Sequence, residues 1–339
     1  MKALSRTLMG LVAISGALAL VVGCAASGPE AGGETSGGGS GSDVSGTIQW
    51  YAGSTEVMND SAIAAFNEAY PNIKVQVLRA TDGELAVRYQ QERESGAGTA
   101  DVVVTSDRAF FEKGTSEGWW DVTAAPAGGF PADGVENGIA TVQLQLMQMV
   151  FNTDLVTTPP TAWSDLVKPE YEGQIVIPDP RNTTPYLAML ELWRQEFGDE
   201  FLQELAAANY RLTPGGVPAS EIIAAGGAEL LAPAAKSVIG GVLAAGAPID
   251  ITPVTPTSAV ELYLAITADS PNAEAAKVFY EFLTSKEGQE AYNGDMASSL
   301  RTDTDTPALP PADEMVSMKE LLPRALENRD EILSLVGIE

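Results

Sequence analysis

The chemistry open to this chain is set by which side chains it has. The 339 residues include no histidine and one cysteine, Cys24. Without histidine there is no side chain that titrates near neutral pH, no usual general base and no commonest metal ligand. A Ser-His-Asp hydrolase or a histidine-bound zinc centre cannot be built. Catalysis through paired carboxylates or a Ser-Lys arrangement stays open in principle. A histidine-free secreted enzyme is therefore kept as the weakest of the readings considered below.

Cys24 itself sits where processing chemistry is expected. Lys2 and Arg6 precede an apolar run from Leu8 to Val22, and Gly23-Cys24 follows it. A basic start, a short apolar stretch and small residues before a cut have the layout of a secretory signal. The 15-residue run is too short to span a bilayer comfortably as a permanent helix. A cysteine directly after the cut resembles the bacterial lipobox, which implies that residues 1–23 are removed and that the Cys24 thiol is lipidated. The alternative is an unmodified cysteine in an ordinary signal. Residues 25–46 hold eight glycines and five serines among 22 residues, a composition that cannot bury enough surface to fold. Residues 24–46 are thus expected to be a lipidated cysteine and a flexible tether with a reach of roughly 25 Å.

With Cys24 committed to lipid, the rest of the chain has no thiol for a disulfide, a metal site or a nucleophile. The charge is −27, from 46 acidic and 19 basic residues. Loss of Lys2 and Arg6 leaves 17 basic residues and a charge of −29. Nucleic acid and bare anionic membrane are poor partners for such a body. Solubility outside the cell explains the acidity, while the charge of any ligand is set locally. No later run of 18 apolar residues exists, so the only membrane attachment expected is the lipid.

The elements that must position functional groups alternate. Thr47–Tyr51 reads as a strand stopped by Gly53, followed by a helix to Ala69 with Ile63, Phe66 and Tyr70 on one face and Pro71 after it. Ile73–Val77 alternates as a second strand. Thr81 and Glu84 have capping-box spacing at the head of a helix that ends at Ser95-Gly96. Asp101–Thr105 is a third, buried strand. Strand–helix alternation at this pace argues for a parallel α/β sheet. After an alternating stretch at Val142–Phe151 comes a second set, with Gly173–Ile177 as a strand. Thr184-Pro185 reads as an N-cap and N1 pair opening a helix to about Phe197. The chain returns near Val260–Thr267, and Ser270-Pro271 opens a helix with Ala275, Val278, Phe279 and Phe282 on its apolar side. Trp119-Trp120 is expected to pack a short strand. The segment after Met315 reads as one or two amphipathic helices bracing a lobe.

Several segments carry a family resemblance. Trp50-Tyr51-Ala52-Gly53-Ser54, Gly83-Glu84-Leu85 with Arg88, and Ala100–Val104 resemble the opening of ABC-transporter solute-binding proteins. Phe151-Asn152-Thr153-Asp154-Leu155, Trp163-Ser164-Asp165-Leu166 and Tyr171–Ile175 resemble their middle, and Pro271–Lys277 with Lys286-Glu287-Gly288-Gln289 their end. The order and spacing over 47–305 are similar to the ferric-iron branch, whose relatives also take thiamine, polyamines and phosphonates. The resemblance implies a type 2 periplasmic-binding fold of two α/β lobes that close on a solute and pass it to a permease and its ATPase. It implies a first lobe of 47–141 plus 260–339, a second lobe of 152–252, and crossover hinges at 142–151 and 253–259. The expected product is a monomeric receptor on the outer face of the cell membrane, without cofactor or metal.

In that fold the ligand lies at the C-terminal ends of strands of both lobes. The resemblance thus implies Gly53, Ser54, Thr55, Asp82 and Ser106 from the first lobe. From the second it implies Arg181, Asn182, Thr183, Thr184 and Gly216. Several of these precede helices, whose free N–H groups favour an anion, and Arg181 is suited to a two-pronged contact with one. Trp50 and Tyr51 are a candidate aromatic wall for thiamine or a polyamine, or simply core. Thr81 and Thr184 can serve as helix caps alone, and Arg181 as a solvated charge. Iron binders of the branch are expected to use adjacent tyrosines in the second lobe. The matching stretch, Gly226–Lys236, has none, and Glu229 beside Lys236 does not supply the oxyanions that Fe(III) wants. The expectation is a small anionic or phosphorylated organic solute. An iron complex, or a sensor or scaffold of the same fold, stands as the alternative.

Overall fold

In the computed structural model, residues 44–338 are described. Cys24 and most of the expected tether lie outside them. The tether ends earlier than the composition suggests, because Val44 packs against the first core cluster and the first strand begins at Gly46.

Three strand–helix units open the fold: β1 (Gly46–Ala52), α1 (Glu56–Ala69), β2 (Ile73–Arg79), α2 (Asp82–Ser95), β3 (Val102–Thr105) and α3 (Arg108–Ser116). β2 and β3 flank β1 and run parallel to it. After β4 (Val135–Glu136), the 14-residue strand β5 (Ile139–Asn152) crosses the molecule. The second set follows with β6 (Ile175–Pro178), α4 (Thr184–Phe197), α5 (Asp199–Ala207), β7 (Arg211–Thr213) and α6 (Gly216–Ala224). It continues through β8 (Leu230–Ala235), α7 (Lys236–Ala244) and β9 (Ile249–Thr252). β10 (Ala259–Ile266), α8 (Ala273–Thr284) and α9 (Lys286–Asn293) return to the first set, and α10 (Met318–Glu327) and α11 (Arg329–Leu335) finish the chain.

The strand order is β2-β1-β3-β10-β5-β8-β6-β7, with β4 and β9 paired to β5. The sheet is mixed, not wholly parallel as the alternation suggested. β10 runs antiparallel to β3, and β5 antiparallel to β10 and β8. The reason is topological, since a chain that leaves one lobe and comes back must reverse direction. β5 carries this out in one piece. Its residues up to Leu146 pair with β10, and those from Met147 onward pair with β8 and β9.

Apolar residues form separate clusters on either side of that crossing. Trp50, Phe66, Phe279 and Tyr292 centre one, with Trp50 edge-on to Phe279 at 5.2 Å and to Tyr292 at 5.7 Å. Tyr89, Phe110, Trp119 and Trp120 form a second beside it. Trp163, Trp193 and Phe201 sit in a third, and Ile223, Leu231 and Ile239 in a fourth. Edge-to-face pairs of this kind contribute about 0.5–1.5 kcal/mol beyond their buried area.

The C-terminal helices depart from expectation. Residues 260–339 were assigned to the first lobe, yet Met318, Leu321 and Ala325 of α10, with Ile332 and Leu333 of α11, bury themselves in the third cluster with α4 and α5. The amphipathic pattern marks an apolar face but not the surface that will cover it.

Candidate functional site

β1 and β3 are parallel neighbours, so their C-terminal ends lie side by side. The Gly53 N–H donates to the Val104 carbonyl at 2.8 Å, which fixes the two exits together. α2 begins next to them under a complete capping box between Thr81 and Glu84. Its first residue, Asp82, is thereby aimed at both exits. The Asp82 Oδ1 accepts from the Thr105 hydroxyl at 2.5 Å and from the Ser106 N–H at 3.3 Å, while the Ser106 hydroxyl donates to Oδ2. A Cβ at Gly53 would lie 2.3 Å from the Asp82 Oδ1, so any larger residue there has to shift that carboxylate.

Across the gap, three helices of the second set begin at one place. Thr183, Pro185 and Tyr186 form the head of α4, and Ala235 and Val238 the head of α7. All five line one cavity of about 150 Å³ together with Gly53, Asp82 and Ser106. Gly216, the first residue of α6, lies behind that wall, against Tyr186 and Val238. A Cβ on it would come within 2.6 Å of the Tyr186 hydroxyl and 3.2 Å of Val238. None of the three helices has a side-chain cap on its first turn. α2 and α3, in contrast, are capped by Thr81 and Asp107. The second wall therefore offers the positive ends of helix dipoles without a side-chain acceptor, although Pro185 and Pro218 have no N–H and the Tyr186 N–H donates to the Thr183 carbonyl at 3.1 Å. Burial pushes the Tyr186 hydroxyl up to about 12, so it stays protonated and neutral at physiological pH.

The floor comes from the crossing strands. Gln145 and Met147 of β5 line the cavity, with Val260 and Leu262 of β10. Gln145 is held at both ends, accepting from the Ser237 hydroxyl at 2.8 Å and donating to the Gln143 Oε1 at 3.2 Å. The cavity continues into two grooves. One, of about 370 Å³, passes Thr55, Arg79 and Val217. The other, of about 410 Å³, passes Thr184, Arg108 and Lys319.

Gly53, Asp82, Ser106 and Thr183 of the sequence candidates thus share one cavity, with Gly216 behind its wall and Thr55 and Thr184 in the flanking grooves. Others lie elsewhere. Ser54 is buried, hydrogen-bonded to Asn59 at 2.5 Å and to the Tyr292 hydroxyl at 2.7 Å. Trp50 is fully buried in the first core, so it forms no wall. Tyr51 lies in the second cluster with its hydroxyl donating to Glu92 and accepting from Arg88. Both aromatics belong to a strand buried on two faces, which leaves no side open to a ligand. Arg181 folds back on Asp179, with Nε and Nη2 donating to its carboxylate at 3.0 and 2.8 Å. That guanidinium holds the Asp179 carboxyl below the ordinary aspartate range. Asn182 donates to the Pro214 carbonyl at 3.1 Å and pins the loop. The N-cap of α4 is Thr183, not Thr184, and Pro185 is one residue further into the helix than expected.

Tyr186, Gln145, Met147, Ala235 and Val238 were not anticipated. Tyr186 follows Thr-Pro at a helix head, and Ala235-Lys236 is a strand–helix junction of the same kind as those chosen. Gln145 and Met147 follow from no local signal, since only the sheet order brings mid-strand residues to the floor.

The fold is shared with known proteins. Residues 49–294 match the model of the bacterial extracellular solute-binding protein family, and the chain belongs to that family. Its fold is that of the substrate-binding protein of an ABC transporter from Agrobacterium tumefaciens, with a TM-score of 0.71, 18% identity, and coverage of 87% of this chain and 95% of that one. Iron-bound HitA from Pseudomonas aeruginosa is similar at a TM-score of 0.64 and 19% identity, with 86% and 99% covered. AfuA from Actinobacillus pleuropneumoniae, solved with fructose-6-phosphate, is similar at 0.61 and 19%, with 87% and 97% covered. The expected two-lobed periplasmic-binding architecture is the one observed. Among the described residues no helix is long and apolar enough to cross a membrane.

Proposed function

We propose that this protein is the receptor of an ABC importer, tethered through lipidated Cys24 at the outer face of the cell membrane. It captures a small anionic organic solute between its lobes and delivers it to a permease. The observation that carries the anionic reading is the meeting of two uncapped helix heads, α4 and α7, on one side of the cavity, with the uncapped head of α6 packed behind them. Backbone N–H groups at such ends receive carboxylate, phosphonate or phosphate oxygens. The cavity of about 150 Å³ has room for a molecule the size of benzene, and the flanking grooves give space for a longer one. That AfuA, of similar fold, holds fructose-6-phosphate is consistent with this reading.

Native mass spectrometry of the protein as isolated, followed by a melting panel of small carboxylates, phosphonates and phosphate esters, tests it. A shift with compact anions is expected. Absence of any shift with anions, alongside a shift with neutral or purely cationic solutes, would overturn the anionic assignment. Cys24→Ser is expected to move the protein from the membrane to the soluble fraction with its solute affinity unchanged. Continued membrane retention of that variant would refute the lipid tether.

A further inference from the structure

We infer that the solute also carries an ammonium group and that Asp82 receives it. This rests on the proposed function and specifies the solute as a small zwitterion, anionic at the α4–α7 end and cationic at the opposite wall.

The charge pattern of the cavity is the basis. Of the twelve residues lining it, Asp82 alone is charged. No ion pair involves Asp82 among the described residues. The three groups that donate to it, the Thr105 and Ser106 hydroxyls and the Ser106 N–H, are all neutral. A carboxylate has about four acceptor positions, so one is left over. None of the cations that line the flanking grooves, Arg79, Arg108 and Lys319, pairs with Asp82. Arg79 donates to the Ser54 carbonyl at 3.0 Å, Arg108 pairs with Glu112 at 2.8 Å, and Lys236 pairs with Asp295 at 2.9 Å. A carboxylate recessed in a cavity without a counter-cation is costly to desolvate when a solute displaces water. A cation on the solute offsets that cost, whereas a purely anionic solute adds repulsion.

The local construction fits a binding role better than a scaffolding one. Gly53 has no side chain where any Cβ would strike the carboxylate, so the space beside Oδ1 is kept for Asp82. The hydroxyls that fix it come from a strand end and a loop, a rigid first wall opposite the helix heads.

Calorimetric titration of the full chain with matched pairs that differ only in the amine provides the test: beta-alanine and propionate, aminoethylphosphonate and ethylphosphonate, aminoethyl phosphate and ethyl phosphate, with diaminopropane as a cation-only arm. In the pair that binds, the amine-bearing member is expected to be at least tenfold tighter, and Asp82→Asn is expected to erase the difference. Equal affinity within the pair, or discrimination that survives Asp82→Asn, would overturn the inference. The wild-type pairs decide the matter even if that variant does not fold. Binding of diaminopropane without any anion sinks the anionic reading and leaves the Asp82 assignment standing. Binding of amine-free anions alone does the reverse, and silence in every arm removes both.

Discussion

Gly53 and Asp82 work as one unit, because the missing side chain of the first makes room for the carboxylate of the second. Gly53→Ala is expected to displace Asp82 and weaken solute binding at least tenfold, with a fall in melting temperature of a few degrees. A calorimetric affinity equal to wild type would separate the two residues. Arg181 teaches the opposite lesson. Its guanidinium pairs with Asp179 and is 39% exposed, so Arg181→Ala is expected to change affinity less than threefold and to lower the melting temperature only slightly near neutral pH. The pair has a pH signature. The Asp179 pKa is depressed in the folded state by the Arg181 hydrogen bonds, so its contribution is present above the ordinary aspartate value of 3.8 and is lost as pH falls through the lower folded value. The melting-temperature gap between wild type and Arg181→Ala is therefore expected to narrow below pH 3.8. A gap that widens on acidification would contradict the assignment.

At the scale of elements, caps decide which helix heads are available to a ligand. Thr81 and Glu84 satisfy the head of α2 and hold Asp82 in place. Thr81→Ala is expected to cost about 1 kcal/mol in chemical denaturation, the usual worth of a threonine cap. Solute affinity should fall with it if α2 aims the carboxylate, and a stability loss with unchanged affinity would show that Thr105 and Ser106 suffice. α10 matters through packing. Leu321 is buried against the α4 side of the molecule, and Leu321→Ala is expected to cost about 2–5 kcal/mol. A cost under about 1 kcal/mol would mean that the C-terminal helices are dispensable to the second lobe.

For the whole molecule, the relevant feature is how little joins the two sets of clusters outside the strands. β5 passes from one to the other, and β10 brings the chain back. Beside them, Lys236 at the head of α7 reaches Asp295, just beyond α9, at 2.9 Å. This partly exposed pair is worth roughly 0.2–1 kcal/mol, which is little for folding but enough to bias a hinge equilibrium. Lys236→Ala is expected to raise the solute-free radius of gyration in solution scattering and to leave melting nearly unchanged. An unaltered scattering profile would remove the pair from the closure.

Much of this was written locally. Strand–helix alternation, the Thr81–Glu84 box, the crossing near 142–151 and the histidine-free composition follow from spacing and side-chain type, because they depend on neighbours in sequence. The strand-end loops that hold Gly53, Asp82, Ser106 and Thr183 came instead from the family resemblance, and the structure brings those four to one cavity. The rest depended on contacts far apart in the chain. Whether Trp50 faced ligand or core was settled by Phe279 and Tyr292, more than 200 residues away. That Arg181 pairs with Asp179, only two residues back, depends on the shape of the loop, which spacing does not reveal. The sequence by itself determined the kind of elements and the side chains available for chemistry. Only the tertiary structure decided which helix heads stay uncapped around one cavity, that Gln145 and Met147 floor it, and that its single charge is the carboxylate of Asp82. Burial and pairing of a group are set by everything that packs around it, and most of that lies elsewhere in the chain.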